Sequence, residues 1–250
     1  MTQHALITGG SSGIGLAYAH HLSLQGWRVS LAAQSTEKLE VARKWLGPNT
    51  ATYAVNLASS SGVARLMESV PVPDVLIANA GITRAGSVGT LSQGESADLQ
   101  YLLCGGVIDL VQWAGPVMKA RGSGRIVIIS SVAAETPMPN SSIYAAAKTG
   151  VSAFGRSIHR ELKPHGVSVT VALPGYVRTE IHARAGLHHL ARQVPRWMWL
   201  DPQTVVKETE RASLAGKEMI IAGRVYRLTR PFLGSRLADV LWRQLTRRKR

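Results

Sequence analysis

The stretch Gln3-His-Ala-Leu-Ile-Thr-Gly-Gly-Ser-Ser-Gly-Ile-Gly-Leu-Ala17 decides the fold class. It opens with a short apolar run, typical of a buried strand, and Gly9, Gly13 and Gly15 then mark a turn into a helix. Glycine permits positive φ and lets the backbone approach a pyrophosphate, whose charge suits a helix N-terminus. A glycine-rich loop alone would be ordinary, but the strand before it and the helix after it predict a dinucleotide-binding turn.

The rest of the chain alternates short apolar runs with helical patterns. Strands are predicted near 3–8, 27–33, 51–55, 74–78, 124–130, 167–173 and 218–222, and helices near 13–25, 36–46, 59–69, 95–120 and 144–163. This alternation indicates parallel strands joined by right-handed crossovers. We therefore predict an α/β fold: one doubly wound parallel sheet of about seven strands with helices on both faces, a Rossmann fold spanning residues 1–250 as a single domain.

A tyrosine and a lysine four positions apart, Tyr144 and Lys148, follow Ser131. On a helix this spacing places both side chains on one face. An ammonium beside a phenol favours the phenolate, so we expect the pKa of Tyr144 to be lowered toward working pH. Ser131, at the end of a predicted strand, would hold the substrate oxygen that Tyr144 protonates. The pattern predicts acid/base chemistry at a substrate oxygen.

These residues resemble the short-chain dehydrogenase/reductase family over roughly residues 1–185. The family's T-G-x-x-x-G-I-G turn is matched by residues 8–15, its N-A-G by residues 79–81, its Ser, Tyr and Lys by Ser131, Tyr144 and Lys148, and its P-G with a following Thr by residues 174, 175 and 179. The resemblance implies an enzyme that moves a hydride between a nicotinamide and a carbonyl or secondary alcohol. Ser131, Tyr144 and Lys148 would be its catalytic residues.

The resemblance also implies which residues contact the cofactor. They are Gly9, Ser11, Ser12, Gly13, Ile14, Gly15, Gln34, Ser35, Asn56, Leu57, Asn79, Ala80, Gly81, Tyr144, Lys148, Pro174, Gly175, Val177 and Thr179. An acidic residue at the end of the second strand would repel a 2′-phosphate, but Ala33 and Gln34 stand there. We therefore expect NADP(H) to be favoured over NAD(H).

One departure from the family concerns an asparagine that supports a helix kink and a water relay to the lysine. Alignment on Gly106-Val-Ile-Asp-Leu places Leu103 at that position, and no asparagine lies between Asn79 and Asn140. A main-chain carbonyl could hold the water instead. The alternative function is therefore a catalytically weak dinucleotide-binding sensor or scaffold that acts through its basic C-terminal segment.

Two segments leave the plain alternation. Residues 176–200 carry Trp197 and Trp199 and are predicted to form a substrate lid, which favours an apolar or aromatic substrate; no metal site is predicted from its histidines. Residues 224–250 hold nine Lys or Arg residues against Asp239 alone. This basic tail is read as solvated, or as an amphipathic helix formed by Leu233, Leu237, Val240, Leu241 and Leu245 for peripheral membrane contact.

Composition indicates the cellular compartment and the class of partner. The 250 residues carry a net charge of +14, and Cys104 is the single cysteine, which suits a reduced, cytoplasmic protein without disulfides. The charge-poor stretch 100–118 reads as a buried helix rather than a membrane span. No nucleic-acid motif is present, so the predicted partner is a small-molecule carbonyl or alcohol, and the resemblance implies a homodimer or homotetramer.

Overall fold

The computed structural model describes residues 3–180 and 194–230. Its centre is an all-parallel sheet of seven strands in the order β3-β2-β1-β4-β5-β6-β7. The strands are β1 His4–Thr8, β2 Arg28–Ala33, β3 Thr50–Ala54, β4 Val75–Ala78, β5 Gly124–Ile129, β6 Val167–Pro174 and β7 Met219–Ala222. The strand order reverses between β1 and β4, which creates a crevice at the carboxyl ends of these strands. The predicted fold class, a doubly wound parallel sheet of about seven strands, is confirmed.

Helices cover the crossovers between strands. They are α1 Gly13–Ser23, α2 Thr36–Leu46, α3 Ser60–Ser69, α4 Gln93–Gln100, α5 Gly106–Arg121, α6 Ser142–Leu162, α7 Pro202–Leu214 and α8 Arg224–Thr229, with a π-helical segment Tyr101–Gly105 between α4 and α5. Helix α4 begins at a capping box in which Ser92 and Glu95 bond reciprocally. The single helix predicted near 95–120 is thus two α-helices joined by a π-helical turn.

The core has two layers because helices pack on both faces of the sheet. One layer joins the sheet to α3, α5 and α6, for example through Leu66, Leu110 and Ile158. The other joins it to α1, α2 and α7, for example through Tyr18 and Leu39. Burial of apolar side chains from the strands on both faces holds the crevice at the strand ends rigid.

One helix departs from the sequence prediction, and another helical stretch agrees with it. Helix α7 was not among the predicted elements, although Asp201 caps it and Pro202 occupies its first turn. By length and composition, Gln93–Arg121 is one helical stretch among the described residues that could cross a membrane. Its residues Leu110, Val111, Ala114 and Met118 are instead buried against the sheet, as predicted for a core helix.

The lid and the tail are described only in part. Residues 176–180 and 194–200 of the predicted lid lie in the described ranges, and residues 181–193 lie outside them. Helix α8 starts the basic tail, while the predicted amphipathic stripe from Leu233 to Leu245 lies outside the described residues.

Candidate active site

The glycine-rich turn between β1 and α1 is packed so closely that side chains cannot enter it. Gly9 and Gly13 have φ of +65° and +56°. A Cβ on Gly15 would lie 2.3 Å from the carbonyl oxygen of Gly9, and a Cβ on Gly9 would lie 2.8 Å from Asn79 Nδ2. The side chain of Ser12, the N-cap of α1, makes no capping hydrogen bond. These features give a backbone cradle at a helix N-terminus, which fits a pyrophosphate.

Asn79 and Thr8 join the ends of β4 and β1 beneath this turn. The Asn79 side chain donates from Nδ2 to the carbonyl oxygens of Thr8 (2.9 Å) and Gly9 (3.4 Å). The backbone amides of Asn79 and Ala80 donate to Thr8 Oγ1 at 2.9 and 3.0 Å. Asn79 therefore acts on the turn itself, and its amide is engaged with the backbone.

Ser131, Tyr144 and Lys148 come together beside the carboxyl end of β5. Ser131 follows that strand, and its Oγ accepts a hydrogen bond from the amide of Ala133 at 3.1 Å. The Nζ of Lys148 lies 5.9 Å from the centroid of the Tyr144 ring. It donates to the carbonyl oxygen of Ile129 at 2.8 Å. The spacing of four on α6 brings the phenol and the ammonium to one face, as the sequence predicts.

The electrostatics of this group differ from the sequence expectation. Burial raises the pKa of Tyr144, and a hydrogen bond with Ser131 opposes that rise. Burial lowers the pKa of Lys148 to about 8, with Cys104 opposing. The prediction that Tyr144 has a lowered pKa is therefore wrong for this structure, because the same burial that brings the two groups together penalises both of their charged forms.

A serine network fixes helix α6 against β5 behind Lys148. Ser130 Oγ donates to the carbonyl oxygen of Lys148 at 3.0 Å, and Ser152 Oγ donates to Ser130 Oγ at 2.7 Å. Ser130 is 3% exposed and Lys148 5%, so these bonds form in a dry environment where they are strong. The sequence analysis did not single out either Ser130 or Ser152.

Leu103 sits where the family carries asparagine, within the π-helical segment. Its side chain is buried with Leu99 and Ala147, and its Cδ2 lies 3.0 Å from where a Cβ on Gly81 would be. The amide of Gly106 donates to the carbonyl oxygen of Tyr101, the five-residue spacing of a π-helix. The helix thus has its irregular turn at this position without a polar side chain there.

The ends of β2 and β3 present fewer free polar groups than predicted. Gln34 is exposed. Ser35 caps α2 by accepting from the amide of Lys38, and its hydroxyl donates to Glu37 at 2.9 Å. Lys38 Nζ forms an ion pair with Glu180 at 2.6 Å. A 2′-phosphate would therefore meet Gln34 directly and would compete with carboxylates for Ser35 and Lys38.

After β3, the side chain of Asn56 accepts a hydrogen bond from the amide of Ala58 at 3.1 Å. The side chain of Leu57 is only 7% exposed and packs in the core. The predicted cofactor contact of Leu57 is therefore restricted to its backbone, because the apolar side chain points into the sheet packing.

The segment after β6 closes the other side of the crevice. Thr179 Cγ2 lies 3.0 Å from where a Cβ on Gly13 would be, so this segment touches the glycine-rich turn. Val177 is 5% exposed and pairs with Leu200 in a parallel bridge. Strand β6 ends at Pro174, and Gly175 follows it. The site residues predicted from both halves of the chain therefore meet at one edge of the sheet.

A cavity of about 160 Å³ opens beside Tyr144. Apolar, hydroxyl and cationic groups line it: Arg84, Gly86, Ser87, Val88, Gly89, Leu91, Ser96, Ser141, Ser142 and Ile143. None of these ten residues was predicted from the sequence, because neither the loop 82–92, nor Ser96, nor residues 141–143 belong to a motif. Within the described ranges, no group of three or more His, Cys, Asp or Glu residues is arranged to hold a metal ion.

Comparison with known proteins agrees with this geometry. A family model described as short chain dehydrogenase matches residues 3–189. Oxidoreductase asL5 of Sarocladium schorii is 31% identical over 210 residues, covering 80% of this chain and 84% of that protein. The 3-oxoacyl-[acyl-carrier-protein] reductase FabG of Escherichia coli is 28% identical over 238 residues, covering 89% and 96%.

The solved structure of a short-chain dehydrogenase from Sphingobium yanoikuyae in complex with NADPH shares the fold. It superposes with a TM-score of 0.83 at 24% identity, covering 99% of this chain and 96% of that one.

Proposed function

The chain belongs to the short-chain dehydrogenase/reductase family and is an oxidoreductase of that class, and on this premise we propose that it is an NADP(H)-dependent carbonyl reductase or alcohol dehydrogenase. The observation that carries the proposal is the meeting of Ser131, Tyr144 and Lys148 at the strand ends, beside a glycine cradle fitted to a pyrophosphate. A bound nicotinamide cofactor would supply or accept the hydride.

The residues of this chain would manage the proton and the orientation of the substrate. The Tyr144 hydroxyl donates a proton to the carbonyl oxygen during reduction and removes it during oxidation. Its raised pKa keeps the phenol protonated at neutral pH, which suits the reductive direction. Ser131 holds the same oxygen through its hydroxyl, and the Lys148 ammonium favours charge on Tyr144 and binds the cofactor ribose.

For the substrate, we propose an apolar or aromatic carbonyl compound. The cavity beside Tyr144 includes Val88, Leu91 and Ile143. Trp197 at the returning end of the lid is 65% exposed, and the ring of Trp199 lies 5.4 Å from that of Tyr176. These groups offer apolar area to a substrate that bridges the cavity and the lid.

The preference for NADP(H) rests on Ala33 and Gln34 at the end of β2, where no acidic side chain stands. Calorimetric titration with both cofactors tests it, and we expect the tighter constant for NADP(H). Gln34→Arg should widen the preference by adding a charge-assisted bond to the 2′-phosphate. A tighter constant for NAD(H) in the natural chain would overturn this preference.

Turnover is tested by cofactor consumption with a panel of ketones and alcohols, using Tyr144→Phe as the inactive control. We expect reduction of bulky apolar or aromatic ketones and its loss in the variant. The alternative, a non-catalytic sensor, rests on Leu103 alone, and the retained Ser131, Tyr144 and Lys148 weigh against it. Absence of turnover with every compound, despite tight cofactor binding, would favour the sensor.

We also propose a cytoplasmic homodimer or homotetramer, which light scattering of the purified protein would test. Peripheral membrane contact through the tail stays a prediction. Removal of residues 235–250 should reduce co-sedimentation with anionic vesicles and leave cofactor binding unchanged.

A further inference from the structure

Tyr226 belongs to α8, the short helix that follows the last strand, and it is only 4% exposed. Contacts with Glu208, which lies outside the active site, hold α8 in place. Arg227 forms an ion pair with Glu208 of α7 at 2.6 Å, and Glu208 also accepts a hydrogen bond from the amide of Gly223 at 2.8 Å. Tyr226 is therefore carried on a support that is tied to α7 and to the end of β7.

The ring of Tyr226 lies directly on Gly175. A Cβ on Gly175 would be 1.9 Å from Cζ of that ring, so only glycine permits this contact. Gly175 follows Pro174 at the carboxyl end of β6, which is one of the strand ends expected to contact the cofactor. The ring of Tyr226 therefore packs against the turn at Gly175, on the side of the site that is expected to bind the cofactor.

The hydroxyl of Tyr226 joins two segments that are distant in sequence. It accepts a hydrogen bond from the amide of Tyr176 at 3.0 Å and donates one to the carbonyl oxygen of Met198 at 2.7 Å. Burial raises the pKa of Tyr226 to about 12, so the hydroxyl keeps its proton throughout the ordinary pH range. Both bonds therefore persist wherever the enzyme can be assayed.

These two segments form the neck of the lid, defined here as residues 176–180 and 194–200. Two backbone hydrogen bonds also close the neck. The amide of Leu200 donates to the carbonyl oxygen of Tyr176 at 2.8 Å, and the amide of Arg178 donates to the carbonyl oxygen of Leu200 at 2.9 Å. The guanidinium of Arg178 reaches the carbonyl oxygens of Trp199 and Arg196. Tyr226 adds a side-chain bridge that comes from outside the neck and fixes it to the rest of the protein.

We propose that Tyr226 is the positioning residue of the site, setting the Gly175 turn with its ring and the neck of the lid with its hydroxyl. The proposal rests on the proposed oxidoreductase function and assigns a role that neither the catalytic motif nor the glycine-rich turn contains. Because the two contacts belong to different parts of one side chain, they can be removed separately. The ring supports cofactor binding through the Gly175 turn, and the hydroxyl supports substrate binding through the neck of the lid.

Two variants of the full-length enzyme separate these roles. In Tyr226→Phe the ring stays on Gly175 and both hydroxyl bonds are lost. We expect the KM of an apolar ketone substrate to rise about five- to tenfold while the cofactor Kd stays within twofold. In Tyr226→Ala the ring is lost as well, and the cofactor Kd should rise about tenfold. In both variants, hydrogen exchange at the amide of Tyr176 should accelerate, since its acceptor is gone.

Tyr18→Phe is the matched control. Tyr18 is fully buried and its hydroxyl donates to Glu210 at 3.0 Å, on α7 and away from the neck. It should lower the thermal midpoint as Tyr226→Phe does, without changing the substrate KM, the cofactor Kd or exchange at Tyr176. A purely structural role for Tyr226 would make the two Phe variants alike in substrate KM and cofactor Kd.

The outcomes separate this inference from the proposed function. If folded Tyr226→Phe and Tyr226→Ala both keep substrate KM and cofactor Kd within twofold of wild type, the positioning role is overturned. If the wild type itself shows no turnover, the proposed function fails instead. The role of Tyr226 is then decided by the cofactor Kd, which needs no catalysis: an unchanged Kd in Tyr226→Ala would overturn it, and the expected rise would support it.

Discussion

The two sides of the crevice are built by different means. On one side, the backbone of the glycine-rich turn before α1 is packed against itself, as at Gly9 and Gly15, and the side chain of Asn79 bonds to that backbone from the end of β4. On the other side, the turn after β6 is fixed by a side chain that follows it by 51 residues, since Tyr226 lies on Gly175 and bonds to the neck of the lid. The first side requires glycines at positions where a Cβ would clash, and the second adds the buried side chain of Tyr226 to the backbone bonds of the neck.

This difference indicates where the site can change without losing its chemistry. A backbone cradle recognises a feature shared by all dinucleotides, and a Cβ added at Gly9 or Gly15 would meet backbone atoms within 3 Å. A neck held by Tyr226 can be altered by substituting side chains that pack on it. We therefore propose that the first side serves pyrophosphate binding and that the neck on the second side serves substrate choice.

The largest expected effect breaks the first side. In Gly15→Ala the new methyl would lie 2.3 Å from the carbonyl oxygen of Gly9, which must shift and open the cradle. Cofactor affinity should fall by a hundredfold or more, roughly 3 kcal/mol of binding free energy. Gly94→Ala is the control, because a Cβ at Gly94 meets nothing within 4 Å, and it should bind normally. Calorimetry measures the cofactor affinity of both variants, and equal affinities would refute the claim that the glycine-rich turn binds the cofactor.

The next effect concerns Lys148, which lies between the two sides. Its pKa of about 8 means that the ammonium is lost as pH rises through that value. Cofactor Kd should therefore increase about tenfold per pH unit above pH 8, one proton being lost. Tyr144, whose pKa is raised, does not titrate in this window. Lys148→Met should bind weakly at every pH between 6 and 10, and a pH-dependent Kd in that variant would assign the titration elsewhere.

The free energy of unfolding should rise with pH over the same range in which cofactor binding weakens. Because the folded-state pKa of Lys148 lies below the ordinary value of 10.5, the unfolded chain binds more protons between about pH 8 and 10.5. The contribution of Lys148 to the free energy of unfolding therefore rises with pH across this window. Denaturant unfolding of wild type and Lys148→Met, compared point by point, isolates that contribution, and a difference that does not grow with pH would contradict it.

A smaller effect tests the second side. In Gly175→Ala the methyl displaces the ring of Tyr226 rather than backbone, so the structure can adjust. We expect a loss of about 2 kcal/mol in the free energy of unfolding and a severalfold weaker cofactor. Combined with Tyr226→Ala, the losses should be much less than additive, because the clash disappears with the ring. Additive losses would show that the two residues act independently.

The smallest effect belongs to the π-helical turn outside both sides. Tyr101 donates its hydroxyl to Asp109 at 2.5 Å across that turn, and its ring fills the space beside Gly105. Tyr101→Phe should lower the free energy of unfolding by about 1 kcal/mol and leave cofactor affinity unchanged. Asp109→Asn should cost a similar amount, with the double variant little worse. A large loss of cofactor affinity would contradict this and show that the π-helical turn contributes to cofactor binding.

Sequence patterns predicted the first side better than the second for a physical reason. The strand, the glycines and the helix of the turn are adjacent in sequence, so a local pattern predicts the turn, although its bonds with Asn79 form only on folding. The bond from Tyr226 to Met198 and the pairing of Lys38 with Glu180 arise only after folding. The direction of the Tyr144 pKa shift was missed for the same reason: the spacing of four shows proximity to Lys148, but burial depends on the packing of distant elements.

The central claim is that Tyr144 transfers the proton at this site, and Tyr144→Phe tests it most directly. The substitution keeps the ring and removes only the hydroxyl, so cofactor Kd should stay within twofold while kcat for ketone reduction falls at least a thousandfold. Both quantities are to be measured on the same preparation, by calorimetry and by cofactor consumption. A variant that binds cofactor normally and still reduces the ketone at near the wild-type rate would contradict the account.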